Sequence, residues 1–117
     1  MTPGIDLDAY FERIGWGGST QATFDTLSDL VRAHMTAIPF ENLDVLLGRP
    51  IRLDLEGIQD KLVRARRGGY CFEHSTLLAS VLERLGFQPV RHSARVTMMS
   101  PRATSPRTHM FLTVPLP

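Results

Sequence analysis

The stretch Arg67-Gly68-Gly69-Tyr70-Cys71-Phe72-Glu73-His74 holds the only cysteine of the sequence, at a point where a loop is followed by a helix. Two glycines precede Cys71, and apolar side chains recur with helical spacing after it, as far as Leu85. A thiol in the first turn of a helix lies beside backbone N–H groups and the positive end of the helix dipole, and both favour the thiolate. Cys71 is therefore a candidate nucleophile, while a small buried hydrophobic side chain is the alternative interpretation.

Three further helices are predicted before this one, over residues 6–14, 23–37 and 55–66. Asp6 and Asp54 stand where a side chain can cap the first backbone N–H groups of a helix. Gly15 and the pair Gly68-Gly69 stand where the first and third helices are expected to end. The second helix is predicted to bury its apolar residues, namely Phe24, Leu27, Leu30, Val31 and Met35.

Two β-strands are predicted after the helices, over residues 90–99 and 108–114, with a proline-containing loop between them. The second strand carries apolar groups on both faces, so one face can pack on the helices while the other face and the open edge need cover. We therefore expect an α+β fold, with a helical bundle followed by a β-hairpin. We also expect the chain to be the front part of a larger architecture, to be completed by a partner, or to self-associate at the open strand edge.

The composition is that of an ordinary soluble domain of 117 residues, with 43% apolar and 21% charged residues. A net charge of +1 argues against nucleic acid as the main partner, since phosphate binding needs a clear excess of basic side chains. No apolar run reaches the length of a membrane span, and the N-terminus lacks the pattern of a secretory signal. A single cysteine cannot form an internal disulfide, so these features together predict a cytoplasmic protein.

Four histidines are candidates for the base that would activate Cys71. His34 is expected to be a half-exposed residue of the second helix, and His74 is expected to project away from Cys71 on the same helix. His92 and His109 fall on the two strands, and from there His109 can face the start of the cysteine helix. A cysteine at a helix start with its histidine on a later strand is the papain-like arrangement, a likeness of geometry alone. A zinc site is disfavoured, because zinc usually takes several closely spaced Cys or His ligands.

The octapeptide around Cys71 strongly resembles the active-site motif of the arylamine N-acetyltransferases. Residues 38–44, Ile-Pro-Phe-Glu-Asn-Leu-Asp, look like the second signature of that family. Residues 10–14 resemble its N-terminal helix, and residues 85–87 resemble its helix-to-strand junction. The likeness runs in order along essentially the whole chain, and the octapeptide is its specific part.

This resemblance implies a fold of three parts: a helical domain, a β-barrel domain and an α/β lid. The chain matches the helical domain over residues 1–86 and the opening hairpin of the barrel over residues 87–117. The implied reaction is a ping-pong transfer in which acetyl-CoA acylates Cys71 and an arylamine or hydrazine then takes the acetyl group. Acetyl-CoA would be the acyl donor, and no metal would be needed.

The resemblance also assigns roles to individual residues. His109, within Thr108-His109-Met110, matches the catalytic histidine, and Phe40 and Val96 fall where the family lines its acceptor pocket. The remaining matches belong to a charged network that steadies the site, with a glutamate between two arginines: Arg13, Glu41 and Arg67.

Two departures from the family pattern stand out. Ser75 occupies a position where the family usually has asparagine or another amide, which is a small change. The larger one is that no carboxylate follows His109, whereas the family's catalytic aspartate lies on the next strand. Because that carboxylate orients the imidazole and stabilises its charged form, little turnover is expected from this chain alone. The alternatives are a related amide-forming acyltransferase of biosynthesis and a non-catalytic, truncated remnant or interaction module.

Overall fold

The computed structural model describes residues 4–95 and 109–116, which form a set of helices followed by a two-stranded sheet. The helical elements are α1 Leu7–Ile14, α2 Phe24–Ala37, α3 Leu43–Leu46, α4 Leu55–Ile58, a π-helix Gln59–Arg64 and α5 Cys71–Arg84. The strands are β1 Val90–Ala94 and β2 His109–Thr113. The predicted α+β class is confirmed. Residues 96–99 and 108, which were also predicted to be strand, lie outside the described residues.

Polar caps set the helix boundaries close to the predicted ones. At the start of α1 the Asp6 carboxylate accepts a hydrogen bond from the Ala9 N–H at 3.1 Å. Gly15 closes that helix with a φ of 70°, in the left-handed region that suits glycine. At the start of α4 the Asp54 carboxylate accepts from the Gly57 N–H at 3.0 Å. Both predicted caps are therefore confirmed.

The predicted third helix is in fact two elements. The short α4 continues directly into the π-helix Gln59–Arg64, whose wider turns are uncommon and often occur near functional sites. The chain leaves this helix at Arg66, whose φ of 55° is the left-handed conformation that usually ends a helix at a glycine. The prediction that Gly68-Gly69 ends the helix is therefore wrong. The two glycines make a close backbone contact instead.

The buried face of α2 differs from the predicted one. Leu30 is fully buried, and Thr26 and His34 are buried four residues to either side of it. Phe24 and Met35 are each 64% exposed, because both lie more than about 100° around the helix from Leu30. Their predicted burial is therefore wrong, since the hydrogen-bonded polar side chains of Thr26 and His34 lie on the buried face of α2.

The core lies where α1, α2, the α4–π-helix segment and α5 meet. Its fully buried side chains include Tyr10, Leu30, Ile58, Leu62, Leu77 and Leu82. The sheet closes one side of this core, with Leu112 and Val114 packed against it. Helical spacing in the sequence predicted most of these positions, because burial drives the amphipathic pattern.

The two strands are antiparallel, with Val90 opposite Thr113 and Ala94 opposite His109. Alternate side chains of β2 are exposed and half-buried, as predicted, so Met110 and Leu112 lie on the half-buried face. In the part of the chain that the structure describes, the sheet has only these two strands. The outer side of the hairpin and its edges are therefore open there.

Candidate active site

Two glycines let the turn before α5 pack closely on the segment that follows α2. The Glu41 N–H donates to the Gly69 carbonyl at 2.8 Å, and the Gly69 N–H donates to the Pro39 carbonyl at 3.2 Å. A Cβ on Gly68 would collide with the Pro39 carbonyl oxygen, and one on Gly69 would lie 2.8 Å from Glu73 Oε1. Larger residues would push these segments apart, so the glycines fix the turn that leads into α5.

Cys71 is the first residue of α5, and it is 6% exposed. The Glu73 carboxylate reaches back and accepts a hydrogen bond from the Tyr70 N–H at 3.2 Å. This bond satisfies one of the backbone donors left over at the start of a helix. The thiol thus lies in the first helical turn, as predicted, where backbone N–H groups favour an anion.

A side-chain hydrogen bond brings β2 to the first turns of α5. The Ser75 hydroxyl, one helical turn after Cys71, donates to the Met110 carbonyl at 3.3 Å. Met110 directly follows His109, which is the first residue of β2 and is exposed. His109 therefore lies on a strand that contacts α5 one turn after Cys71, with its side chain on the exposed face of that strand. The family departure at Ser75 has a structural use here, because its hydroxyl holds the strand.

The only lysine of the sequence lies among carboxylates close to this turn. Lys61 Nζ is 2.9 Å from Asp44 Oδ2 and 2.9 Å from Glu73 Oε2, while Glu41 Oε1 is 3.9 Å away. The side chains are mostly buried, with exposed fractions of 14% for Lys61 and 1% for Glu73. Burial alone would lower the pKa of Lys61, but its hydrogen bonds to Asp44 and Glu73 raise that pKa, so the ammonium stays charged.

Arg67 adds a second cation to this group. Its Nη2 donates to Asp44 Oδ1 at 2.8 Å and lies 4.0 Å from Glu41 Oε2. Hydrogen bonds from Arg67, and then from Lys61, lower the pKa of Asp44 to about 2. The cluster of Lys61, Arg67, Glu41, Asp44 and Glu73, hereafter the ion cluster, joins the segment after α2, the π-helix and the start of α5.

Arg13 differs from its expected place in the charged network. Its guanidinium donates to three backbone carbonyl groups, those of Leu62 at 2.7 Å, Ala37 at 2.9 Å and Arg67 at 3.5 Å. Glu41 is near Lys61 and Arg67 rather than between two arginines. The physical reason is that carbonyl groups near helix ends lack donors, and a guanidinium with five N–H groups can supply several at once.

A chain of hydrogen-bonded side chains crosses the core behind the site. Tyr10 Oη lies 2.7 Å from His34 Nδ1, and His34 Nε2 lies 2.9 Å from His74 Nδ1. His74 Nε2 in turn lies 2.9 Å from the Pro39 carbonyl oxygen. His34 is 1% exposed and His74 is 8% exposed. The expected half-exposure of His34 is therefore wrong, because hydrogen bonds to two buried partners, Tyr10 and His74, satisfy its ring inside the core.

When both histidine rings are neutral, the Pro39 carbonyl oxygen determines which atom donates and which accepts in each hydrogen bond of this buried chain of side chains. A carbonyl oxygen only accepts, so His74 donates through Nε2 and accepts at Nδ1. His34 then donates through Nε2 and accepts the Tyr10 hydroxyl proton at Nδ1. Burial, with the nearby charges of His74 and Arg13, lowers the pKa of His34 to about 3, so this ring is neutral at physiological pH. Burial also raises the pKa of Tyr10, which keeps the hydroxyl protonated.

Phe40, the first residue assigned to an acceptor pocket, is 66% exposed beside Pro39. Its ring stacks on the His74 ring, with centroids 5.8 Å apart and planes 12° from parallel. Its backbone forms a bridge with Gly69 in the turn before α5. The aromatic face therefore stands next to the start of the cysteine helix. Val96, the second residue assigned to that pocket, lies outside the described residues.

Residues 4–95 and 109–116 contain neither a candidate metal site nor a candidate membrane-spanning helix. No group of three or more His, Cys, Asp or Glu side chains in these ranges could hold a metal ion. Among the same residues, no helix has both the length and the apolar character needed to cross a membrane.

Several residues around the site escaped sequence reasoning. Lys61, Asp44 and Glu73 form most of the ion cluster, and His34 with His74 forms the buried chain. One signal was available, since a single lysine among a dozen arginines marks a position where a compact point charge is used. Their pairing was not readable, because the partners come from segments far apart in the sequence.

Comparisons with known proteins agree with this geometry. A family model described as N-acetyltransferase matches residues 23–117. Over 116 residues the chain is 50% identical to the arylamine N-acetyltransferase of Mycobacterium tuberculosis, covering 97% of this chain and 41% of that protein. It is 49% identical to the Escherichia coli arylamine N-acetyltransferase, covering 99% and 41% of the two chains. The structure of Mycobacterium marinum arylamine N-acetyltransferase in complex with CoA matches with a TM-score of 0.87 at 47% identity, covering 96% and 42%. The chain thus spans less than half the length of these relatives.

Proposed function

This chain belongs to the arylamine N-acetyltransferase family, and we propose on that basis that Cys71 and His109 carry out acetyl transfer from acetyl-CoA to an arylamine or hydrazine. The observation that carries the proposal is the Ser75 hydrogen bond to the Met110 carbonyl, which places the strand of His109 beside the first turns of α5. The buried thiol at the helix start supplies the nucleophile, and the histidine supplies the base.

The proposed reaction has two steps that use the same pair of residues. In the first, the Cys71 thiolate attacks the thioester carbonyl of acetyl-CoA, a new C–S bond forms and the bond to CoA breaks. The protonated His109 gives its proton to the departing CoA thiolate. In the second, the amine attacks acetyl-Cys71, a C–N bond forms and the bond to Cys71 breaks. His109 takes the proton that the amine loses, which restores the thiolate–imidazolium pair.

Other features fit this reading of the site. A relative of similar fold has been solved with CoA, which supports acetyl-CoA as the donor. The exposed Phe40 ring offers a flat apolar face for an aromatic amine. We place the chemistry in the cytoplasm, where a lone thiol stays reduced. We also propose that residues 1–86 form the helical domain with the cysteine and that residues 87–117 begin the barrel domain with the histidine.

Intact mass spectrometry after mixing with acetyl-CoA tests this function. We expect one added acetyl group that requires Cys71, is absent in Cys71→Ala, and forms more slowly in His109→Gln. Hydroxylamine should remove the group, because it cleaves a thioester and leaves an amide intact. That treatment separates acetyl-Cys71 from acetylation of Lys61 or the N-terminal amine. Label that persists in Cys71→Ala, or no label at all, would refute the proposal for this chain.

We further propose that the open side of the hairpin binds another copy of the chain or a completing partner. Phe111 is 41% exposed and Val90 is 46% exposed, at sheet edges that are open in the described part of the chain. Light scattering over a range of concentrations should show self-association that weakens in Phe111→Thr. A stable, monodisperse monomer with a sharp unfolding transition would contradict this proposal.

A further inference from the structure

Lys61 of the ion cluster lies close enough to the first turn of α5 to affect the Cys71 thiol as well as the fold. Lys61 is the only lysine of the chain, and it lies on the π-helix with its ammonium 2.9 Å from a carboxylate oxygen of Glu73. Glu73 is in the same helical turn as Cys71 and is 1% exposed. A buried carboxylate without a cation would be costly, so the two charges depend on each other.

Glu73 has two opposing effects at the start of α5. Its carboxylate accepts the Tyr70 N–H at 3.2 Å, which helps the helix to begin next to the thiol. Its negative charge also opposes a second negative charge nearby, which disfavours the thiolate of Cys71. A cation held on the carboxylate leaves the hydrogen bond from the Tyr70 N–H in place and reduces the repulsion between Glu73 and the thiolate.

We propose that Lys61 is a positioning residue for Cys71: it neutralises Glu73, so that this carboxylate caps the start of α5 without opposing the thiolate. The inference deepens the proposed function, because it concerns the reactivity of the same thiol. Lys61 does not act on substrate. Its positive charge, held on a neighbouring element, offsets the charge of Glu73 at the thiol.

Other charged and titratable groups surround this pair and belong in the design of a test. Glu41, Asp44 and Arg67 complete the ion cluster. Tyr70 precedes the thiol in sequence, His74 follows it, and His109 begins the strand that packs on α5. Because Lys61→Met also removes the cation beside Asp44, Glu73→Gln is the change that is specific to the pair.

The test is the pH profile of Cys71 alkylation by iodoacetamide, followed by intact mass spectrometry on the folded 117-residue chain. Removing the cation in Lys61→Met should move the midpoint of alkylation upward by about one pH unit. Removing the carboxylate in Glu73→Gln should move it downward. The double variant Lys61→Met/Glu73→Gln should return it close to the wild-type value. Arg64→Met is the matched control, since Arg64 lies on the same π-helix but pairs with the exposed Glu56 and Asp60.

The outcomes separate this inference from simpler accounts. A purely structural ion pair would change unfolding but leave the alkylation midpoint unmoved in every folded variant, and that result would overturn the proposal. If Lys61→Met does not fold, Glu73→Gln and the double variant still decide it, because a shift in the first that the second reverses requires the charge of Lys61. Alkylation needs no acetyl-CoA. A failure of acetyl transfer with a normal midpoint shift would therefore count against the proposed function alone.

Discussion

Acid is expected to destabilise this fold through His34, well before the carboxylates are protonated. The ring is buried between Tyr10 and His74, and its pKa is lowered to about 3. In the unfolded chain the same imidazole titrates near its ordinary value of about 6.5. Between these two values the unfolded chain binds a proton that the folded chain does not bind. The free energy of unfolding must therefore fall as the pH decreases through that window.

The magnitude follows from the gap between the two states. A pH of about 5 lies about 1.5 units below the pKa of the imidazole in the unfolded chain. Each unit is worth about 1.4 kcal/mol, so the free energy of unfolding should fall by about 2 kcal/mol. Above about pH 7 the contribution vanishes, because neither state binds the proton. Asp44 contributes little at pH 5, since its pKa is about 2 in the folded chain and about 3.9 in the unfolded chain, so its effect on stability falls between these lower pH values.

Urea denaturation at about pH 7.5 and about pH 5 measures this effect in the wild type and in His34→Gln. The variant should be less stable at the higher pH by about 1–3 kcal/mol, because an amide does not reproduce the ring geometry that bonds Tyr10 and His74 at once. Its further loss on acidification should be about 2 kcal/mol smaller than that of the wild type, because glutamine does not titrate.

The control is His92→Gln, whose ring nitrogen lies 2.8 Å from the Thr113 hydroxyl on the exposed hairpin. That variant should keep the acid-dependent loss carried by His34. An equal loss on acidification in His34→Gln and in the wild type would refute the reasoning. So would a midpoint near the ordinary value for His34 in an NMR titration of the folded chain.

Three further predictions test the surroundings of the site. Gly68→Ala should lower the free energy of unfolding, measured by urea denaturation, by about 1–3 kcal/mol, because a Cβ there meets the Pro39 carbonyl. The control Gly17→Ala, with open space around it, should change the free energy of unfolding by less than about 0.5 kcal/mol. The lowered pKa of Asp44 means that its carboxylate stabilises the wild-type fold above about pH 4 and progressively less as the pH falls to about 2. Asp44→Asn should abolish this pH-dependent loss of stability in thermal melts. Arg66→Gly should raise the melting temperature and increase the free energy of unfolding by up to about 1 kcal/mol, because a φ of 55° strains a residue that carries a Cβ. An unchanged or lower melting temperature by calorimetry would contradict this.

Local chemistry made the helix starts predictable. Asp6 and Asp54 cap helices as their residue type indicates, and the alternation of β2 gives the face that meets the core. The position of Cys71 at the start of α5 followed from the same kind of signal. In each case the information lies within a few residues of the feature, so no tertiary contact was needed.

Partner identity was not predictable in the same way. His34 has the spacing of an ordinary helix residue, and its burial depends on Tyr10, 24 residues earlier, and His74, 40 residues later. Polarity patterns assign such a histidine to the surface, because a buried polar group is acceptable only when its partners are already in place. The predicted burial of Phe24 and Met35 was wrong for the same reason, since the buried face of α2 carries hydrogen-bonded polar side chains instead.

The long-range contacts also explain why the cysteine side of the site is already assembled within the helical part. The Pro39 carbonyl accepts both the Gly69 N–H and the His74 side chain, so one oxygen joins the turn before α5 to the buried chain. The ion cluster holds the same turn from the other side through Arg67 and Glu73. Among the described residues, the strand of His109 is held on the helices by the Ser75 hydrogen bond to β2, together with Leu112 and Val114 packed on the core. Ser75→Ala should therefore slow acetylation of Cys71 while leaving its alkylation unchanged, and equal effects on both reactions would show that the strand does more than carry His109.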